Sequence, residues 1–275
     1  AKTAFNDSYR KLLPEGFGQT QLVNYEFSKA VTDKWLKGKI SADELAKKEK
    51  ELAKVKEGPI QKKVRAEKGE PSITVCNEQK EIEKLLTFLF EHKRPEDQVV
   101  VQMDKDNSTD EVWNVCEKFE SKPHNEYRLI QCSLNKNFAW YKNNLNSNCD
   151  GDWIFQIDAD EIPNEYLIEA LPFILEANDG TEAFWVPRVN TVAGITDAHI
   201  AKWGWRMDDQ GWVNFPDWQM RIYRNDENIY WVKPVHEQLK GYTKFANLPA
   251  EEKFALYHPK NIGRQEKQNS FYETI

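Results

Sequence analysis

The chain has 275 residues, 40% of them hydrophobic and 12% aromatic, with ten Trp, enough to bury a sizeable core in one large domain or two small ones. Net charge is −7, unevenly spread: residues 1–70 hold 16 Lys and Arg against 11 Asp and Glu, a net of +5, which leaves −12 for the rest. Cys76, Cys116, Cys132 and Cys149 form no C-x-x-C pair, which excludes a zinc knuckle and a dense disulfide framework. No run approaches the roughly 18 apolar residues of a bilayer span, and the first residues lack an apolar signal core. The expectation is a cytoplasmic protein.

In chain order, residues 1–70 read as a charged helical extension. Ser41-Ala42-Asp43-Glu44 is a capping box opening a helix to about Lys56, and Gly58-Pro59 breaks it. From Pro71 the character changes. Strands are expected over Ser72–Cys76, Gln98–Met103, Tyr127–Cys132 and Trp153–Ile157, with helices over Glu81–Glu91, Ser108–Phe119, Phe138–Asn148 and Glu165–Leu175. That alternation predicts an α/β fold: a mostly parallel sheet, Rossmann-like, with helices on both faces. Residues 71–190 form a first half and residues 191–275 a second. After Thr181 the pattern changes again, and Ala183–Pro187, Gln219–Tyr223 and Ile229–Val232 are strand-like. Residues 191–217, rich in Trp, Gly and Asp without clean periodicity, read as a long loop.

Asp158-Ala159-Asp160-Glu161 carries the most chemistry. It follows the apolar run Trp153–Ile157 and precedes Pro163, as if a buried strand ends and presents carboxylates at the edge where α/β folds bind ligands. Two carboxylates one residue apart can share a hard cation, Mn²⁺ or Mg²⁺. Such a cation neutralises a diphosphate. The spacing alone is weak, because Asp104-Lys105-Asp106 and Asp150-Gly151-Asp152 share it. Position adds weight: Asn77-Glu78 follows the first strand, Asp104 the second, and the Asp158 motif the fourth. Parallel strands would bring these to one edge. Glu161 is expected to cap the next helix.

The ordered pieces Ile73-Thr74-Val75-Cys76-Asn77-Glu78, Val99–Asp104, Asn137-Phe138-Ala139, Asp152–Glu161, Asp217-Trp218-Gln219-Met220-Arg221 and Val235-His236-Glu237 resemble the family 2 glycosyltransferases of the GT-A fold, over about residues 72–258. The resemblance implies a metal-dependent, inverting transfer of sugar from a nucleotide-sugar donor, with UDP-sugars foremost, to a hydroxyl acceptor. The acceptor class it implies is a surface glycan or lipopolysaccharide. Modified bases of phage DNA are an alternative, to which the net +5 arm would add an anionic partner. A non-catalytic carbohydrate-binding protein is another.

Residue by residue, the resemblance implies that Val75, Asn77, Glu78, Asp104 and Lys142 hold the nucleotide sugar. Asp158 and Asp160 hold metal and diphosphate, with Asp160 the direct ligand. His236 completes the metal site, and His258 is a weaker candidate for that place. Asp217 is the catalytic base. Arg221 pairs with Asp217 or with phosphate. Asp208 and Asp209 rival Asp217 on the acceptor side, where Trp203, Trp205, Trp212 and Trp218 would stack on sugar or base faces. Lys105 departs from the family's pattern beside the nucleotide pocket, and residues 191–214 match no part of it. A haloacid-dehalogenase-type phosphatase would need the Asp-x-Asp on its first strand. A nucleotidyltransferase would need a Gly-rich basic loop where Asn77-Glu78-Gln79 stands.

Overall fold

The computed structural model describes residues 68–266. The capping box expected at Ser41–Glu44, and the arm up to residue 67, lie outside the described residues. No helix among the described residues is long and apolar enough to cross a membrane.

From Gly69 the expected alternation holds. Strands β1 (Gly69–Val75), β2 (Val99–Asp104), β3 (Tyr127–Cys132) and β4 (Trp153–Asp158) alternate with helices α1 (Gln79–His92), α2 (Asp110–Phe119) and α3 (Phe138–Asn146). The short β5 (Ile162–Pro163) and α4 (Glu165–Ala177) follow. β2 is buried at every position, which is why a strand covered on both faces reads as one apolar run. Three of these four helices start where a side chain can accept a free backbone N–H: Thr109 from Val112, Asn137 from Trp140, and Asn164 from Tyr166. The helix after the acidic motif is thus capped by Asn164, which corrects the expectation that Glu161 would do so.

With β6 (Ala183–Val186), β8 (Gln219–Arg224) and β11 (Phe245–Asn247), these strands make a seven-stranded sheet in the order β11-β6-β8-β4-β1-β2-β3. β1 runs parallel to both β2 and β4, while β8 runs antiparallel between β4 and β6. The chain moves outward from β1 to β3, then returns to the other side of β1 as β4. That reversal opens a crevice at the carboxyl ends of β1 and β4, where Thr74 stands opposite Asp158.

Side chains two apart on a strand share a face. Trp153, Phe155 and Ile157 join one core cluster with Ile73, Leu85 and Leu89. Ile154 joins the other with Tyr223 and Trp231. On that second face β4 continues as Gln156 and Asp158, so it turns from apolar to polar toward its carboxyl end. Tyr223 pairs with Ile154, and two residues along each strand Arg221 reaches Gln156 at 2.8 Å.

A three-stranded sheet sits beside the acidic motif. Its central strand, β12 (Leu256–Asn261), lies between β5 and β7 (Arg188–Ala193). The register sets Tyr257 opposite Ile162 and His258 opposite Asn190. A two-stranded ribbon of β9 (Tyr230–Val232) and β10 (Gln238–Lys240) completes the strands. Residues 191–217, expected as a long loop, instead complete β7 and then form helix α5 (Asp197–Trp203) and a hairpin in which Asn214 N donates to Arg206 O at 2.8 Å. α5 buries none of its residues, so there was no apolar period to detect.

Candidate active site

A cleft of about 250 Å³ opens at the carboxyl ends of β1, β2 and β4. Val75, Glu78, Asp104, Lys142, Asp158, Asp160 and His236 all line it, so these expected residues meet in one place. Asn77 is exposed and outside the lining.

On the β1–β2 side the carboxylates organise their own loops. Glu78 Oε2 accepts the backbone N–H groups of Cys76 and Asn77, each at 3.0 Å, while its Oε1 receives Arg264 Nη2 at 3.1 Å. Buried Asp104 accepts from Asn107 Nδ2 at 2.7 Å and from the backbone of Asp106 and Leu134 at 3.2 and 3.4 Å. These bonds hold the carboxylate rigidly at the cleft wall.

Asp158 closes β4 amid cations. Arg221 Nη2 donates to its Oδ2, Gln156 Nε2 to its Oδ1 at 3.0 Å, and Lys142 Nζ stands 3.7 Å away. Burial opposes ionisation here, yet Arg221 and Lys142 outweigh it and hold Asp158 well below the usual carboxylate range. Lys142 itself is buried, pairs with Glu237 Oε1 at 2.6 Å, and lies 4.8 Å from the Trp231 ring centre. Arg221 was expected to pair with Asp217 or phosphate. It is buried instead beneath the cleft, held by Asp158, Gln156 and Glu161 Oε1, the last at 2.7 Å. Its register opposite β4 dictates this.

Asp160 meets an imidazole, and it is that of His258: Nε2 lies 3.3 Å from Asp160 Oδ2. His236 lines the cleft with left-handed backbone, φ +53°. Among the described residues, no group of three or more His, Cys, Asp or Glu side chains is gathered to hold a metal, so the expected set of Asp158, Asp160 and His236 is not assembled as such. The weaker candidate, His258, is the one the β7–β12 register brings to the motif. Its Nδ1 lies 2.7 Å from Asn190 Oδ1. Burial opposes ionisation of Asp160, but His258 and Arg264 (Nη2 at 3.4 Å) lower its pKa.

Asp217 is gripped by Arg188. Oδ2 receives Arg188 Nε at 2.9 Å, Arg188 Nη2 at 2.6 Å and Asn190 Nδ2 at 2.8 Å, while Oδ1 receives Gln219 Nε2 at 3.0 Å. Burial works against the charge, but Arg188 and the two amides lower its pKa. The rival Asp208 is exposed and caps a turn, accepting from Gln210 N at 3.0 Å and Trp212 N at 2.8 Å, and Asp209 beside it is exposed. Their bonding suits a hairpin tip. Trp203 and Trp205 pack together with ring centres 4.7 Å apart, and Trp212 packs on Phe215 at 4.9 Å.

Sequence reasoning missed Arg188, Asn190 and Arg264, and misjudged Glu161. Arg188 follows Pro187 at a strand edge, and no local pattern marked it.

The sequence profile of glycosyl transferase family 2 matches residues 72–235. The chain belongs to glycosyl transferase family 2. Its mostly parallel α/β sheet is the GT-A arrangement expected. Among solved structures, S. aureus TarS 1–349 in complex with UDP-GlcNAc shares 20% identity, with a TM-score of 0.50 over 70% of this chain and 58% of that one. The mannosyltransferase PcManGT from Pyrobaculum calidifontis, in complex with GDP-Man and Mn²⁺, shares 20% identity, with a TM-score of 0.38 over 44% of this chain and 35% of that one. Glucosyl-3-phosphoglycerate synthase from Mycobacterium tuberculosis, in complex with Mn²⁺, UDP and glucosyl-3-phosphoglycerate, shares 14% identity, with a TM-score of 0.38 over 49% of this chain and 47% of that one. The family 2 chain thus spans less than two thirds of each of these proteins. A comparison with curated proteins found no match.

Proposed function

We propose that this family 2 enzyme moves a sugar from a UDP-sugar to a hydroxyl of a surface glycan or lipopolysaccharide, with inversion at the anomeric carbon and with Mn²⁺ or Mg²⁺. Residues 71–190 act as the donor half and residues 191–275 as the acceptor half. The observation that carries this reading is the single cleft where Asp104, Asp158 and Asp160 meet. Family membership supports the donor class, and TarS, solved with UDP-GlcNAc, shares the fold.

The donor set suits a divalent cation. Asn190 donates Nδ2 to Asp217, so its Oδ1 faces His258 and fixes the proton on Nδ1. Nε2 is then the ring atom turned toward Asp160, and it would serve as the metal-binding atom once an ion takes the place of its proton, with the ring oriented from Nδ1. Asp160 and His258 would hold the ion, with Asp158 on the diphosphate side. The ion would supply positive charge to the leaving diphosphate. His236 is left as a wall of the cleft. Asp104, held by its own turn, faces the nucleotide base, and Val75 and Glu78 shape the same wall.

Asp217 takes the acceptor's proton. Its Oδ2 already has three donors, whereas Oδ1 has the one from Gln219, so Oδ1 is the atom with room for a hydroxyl. The same donors that keep Asp217 ionised also weaken it as a base. Proton transfer therefore comes late, once the bond from sugar to diphosphate is breaking and the attacking hydroxyl has become acidic. Trp212 and Phe215, five and two residues before Asp217 in the chain, offer apolar rings to a sugar face.

A donor-hydrolysis screen tests the reading. UDP-, GDP- and dTDP-sugars are offered with Mn²⁺ to wild type and to Asp160→Ala. Mn²⁺-dependent release of UDP by wild type, largely lost in the variant, is expected. Equal turnover by both would refute the site.

A further inference from the structure

Glu161 is fully buried although it directly follows the acidic motif. Its Oε1 receives Arg221 Nη2 at 2.7 Å and Arg188 Nη1 at 2.8 Å, and its Oε2 accepts the backbone N–H of Asp158 at 3.2 Å. Each arginine reaches onward to a carboxylate of the site, Arg221 to Asp158 and Arg188 to Asp217 through two nitrogens. The result is an unbroken ladder: Asp158, Arg221, Glu161, Arg188, Asp217.

Burying a carboxylate with two guanidinium groups is no efficient way to stabilise a fold, because apolar side chains of like volume usually do as well or better. A guanidinium does offer a rigid planar fork whose nitrogens address two acceptors at fixed angles. Arg188 does so, with Nη1 on Glu161 and Nε and Nη2 on Asp217, while Arg221 bridges Glu161 and Asp158 through its one Nη2 and sends Nη1 to Gln156. We propose that Glu161 is a positioning residue that sets the separation between Asp158 on the donor side and the base Asp217, through Arg221 and Arg188. A second link, from Asp160 through His258 and Asn190 to Asp217, closes the ladder into a ring and locks its acceptor end. The proposal rests on the reading of Asp217 as base.

The probe is hydrolysis of UDP-glucose, UDP-galactose and UDP-N-acetylglucosamine with Mn²⁺, in which water replaces the acceptor, alongside direct titration of UDP. With Glu161→Gln, turnover is expected to fall about 100-fold, the scale of an ångström-sized misplacement, while the Kd for UDP moves by less than about threefold. Adding Glu161→Gln to Asp217→Asn is expected to cost nothing further in single-turnover rate, because residues that act as one unit are not additive. Losses that multiply, or a UDP affinity that falls as far as turnover, would overturn the proposal. Should Glu161→Gln fail to fold by circular dichroism, Arg188→Lys provides the same three readings, since Glu161 keeps its bond to Arg221. Wild-type turnover in Asp217→Asn, or no hydrolysis of any of the three donors by the wild type, would remove the reading beneath the proposal and the proposal with it.

Discussion

Strands β1 and β4 hold a carboxylate at each end, and the two ends treat it in opposite ways. At the amino end, Glu70 lies opposite Ile154, almost wholly enclosed, with Oε2 lacking a hydrogen-bond partner. Burial raises its pKa, and backbone bonds from Gly151 and Asp150 only partly offset this. At the carboxyl end, Asp158 is only half-buried; burial still opposes its charge, but Arg221 and Lys142 outweigh it, and its pKa falls well below the usual range. One end of the sheet therefore disfavours the charged form of its acid, and the other favours it. Charge is placed by cations delivered from β8, β7 and α3, not by the strands themselves.

The largest effect that sharpens this contrast is on turnover. Asp217→Asn removes the proton acceptor and is expected to lower kcat by about 10²–10⁴-fold, with UDP affinity little changed, as steady-state rates and titration would show. Next comes Arg221→Met, which strips the central cation from Asp158, Gln156 and Glu161 and leaves buried charge unpaired. A loss of about 3–5 kcal/mol in denaturant unfolding is expected; a loss near zero would break the claim that cations make the carboxyl end.

Acid should act on the two ends with opposite sign. Asp158, Asp160 and Asp217 have folded-state pKa values below their unfolded ones. Their stabilisation is complete above the ordinary carboxylate range and lost as pH falls through the lowered folded values. Glu70 has a raised folded value, so it costs stability as pH rises past its unfolded value and up to the raised one. Glu70→Gln is accordingly expected to raise stability at neutral pH by about 1 kcal/mol or less. That gain should vanish on acidification, in melting curves across the pH range. A destabilised Glu70→Gln at neutral pH would show that the amino end needs its charge.

The β1–β4 region was legible because local rules governed it. Val99-Val100-Val101 is buried on both faces and reads as a strand without any tertiary knowledge, and Asp104, Asp158 and Asp160 follow from where such strands stop. What escaped notice depended on distant partners. Glu161 stands three residues before the helix cap Asn164, so adjacency favoured a capping role. Its actual partners, Arg188 and Arg221, are 27 and 60 residues away. The choice between His236 and His258 turned on the parallel register of β12 with β7, which sets His258 beside Asn190 and leaves no trace in spacing. Residues 191–214 were opaque because α5 buries none of its residues fully, and a segment that contributes nothing to the core shows no period.

The central claim is that the Asp158–Asp160 end of the sheet is a cation-dependent donor site. The direct measurement is calorimetric titration of UDP into the wild type and Asp160→Ala, with Mn²⁺ and with the metal chelated. The account predicts that Mn²⁺ strengthens binding to the wild type about 10-fold or more, and that Asp160→Ala abolishes this gain, in line with the loss on removing a ligand or its support. Equal affinity in all four titrations would contradict it.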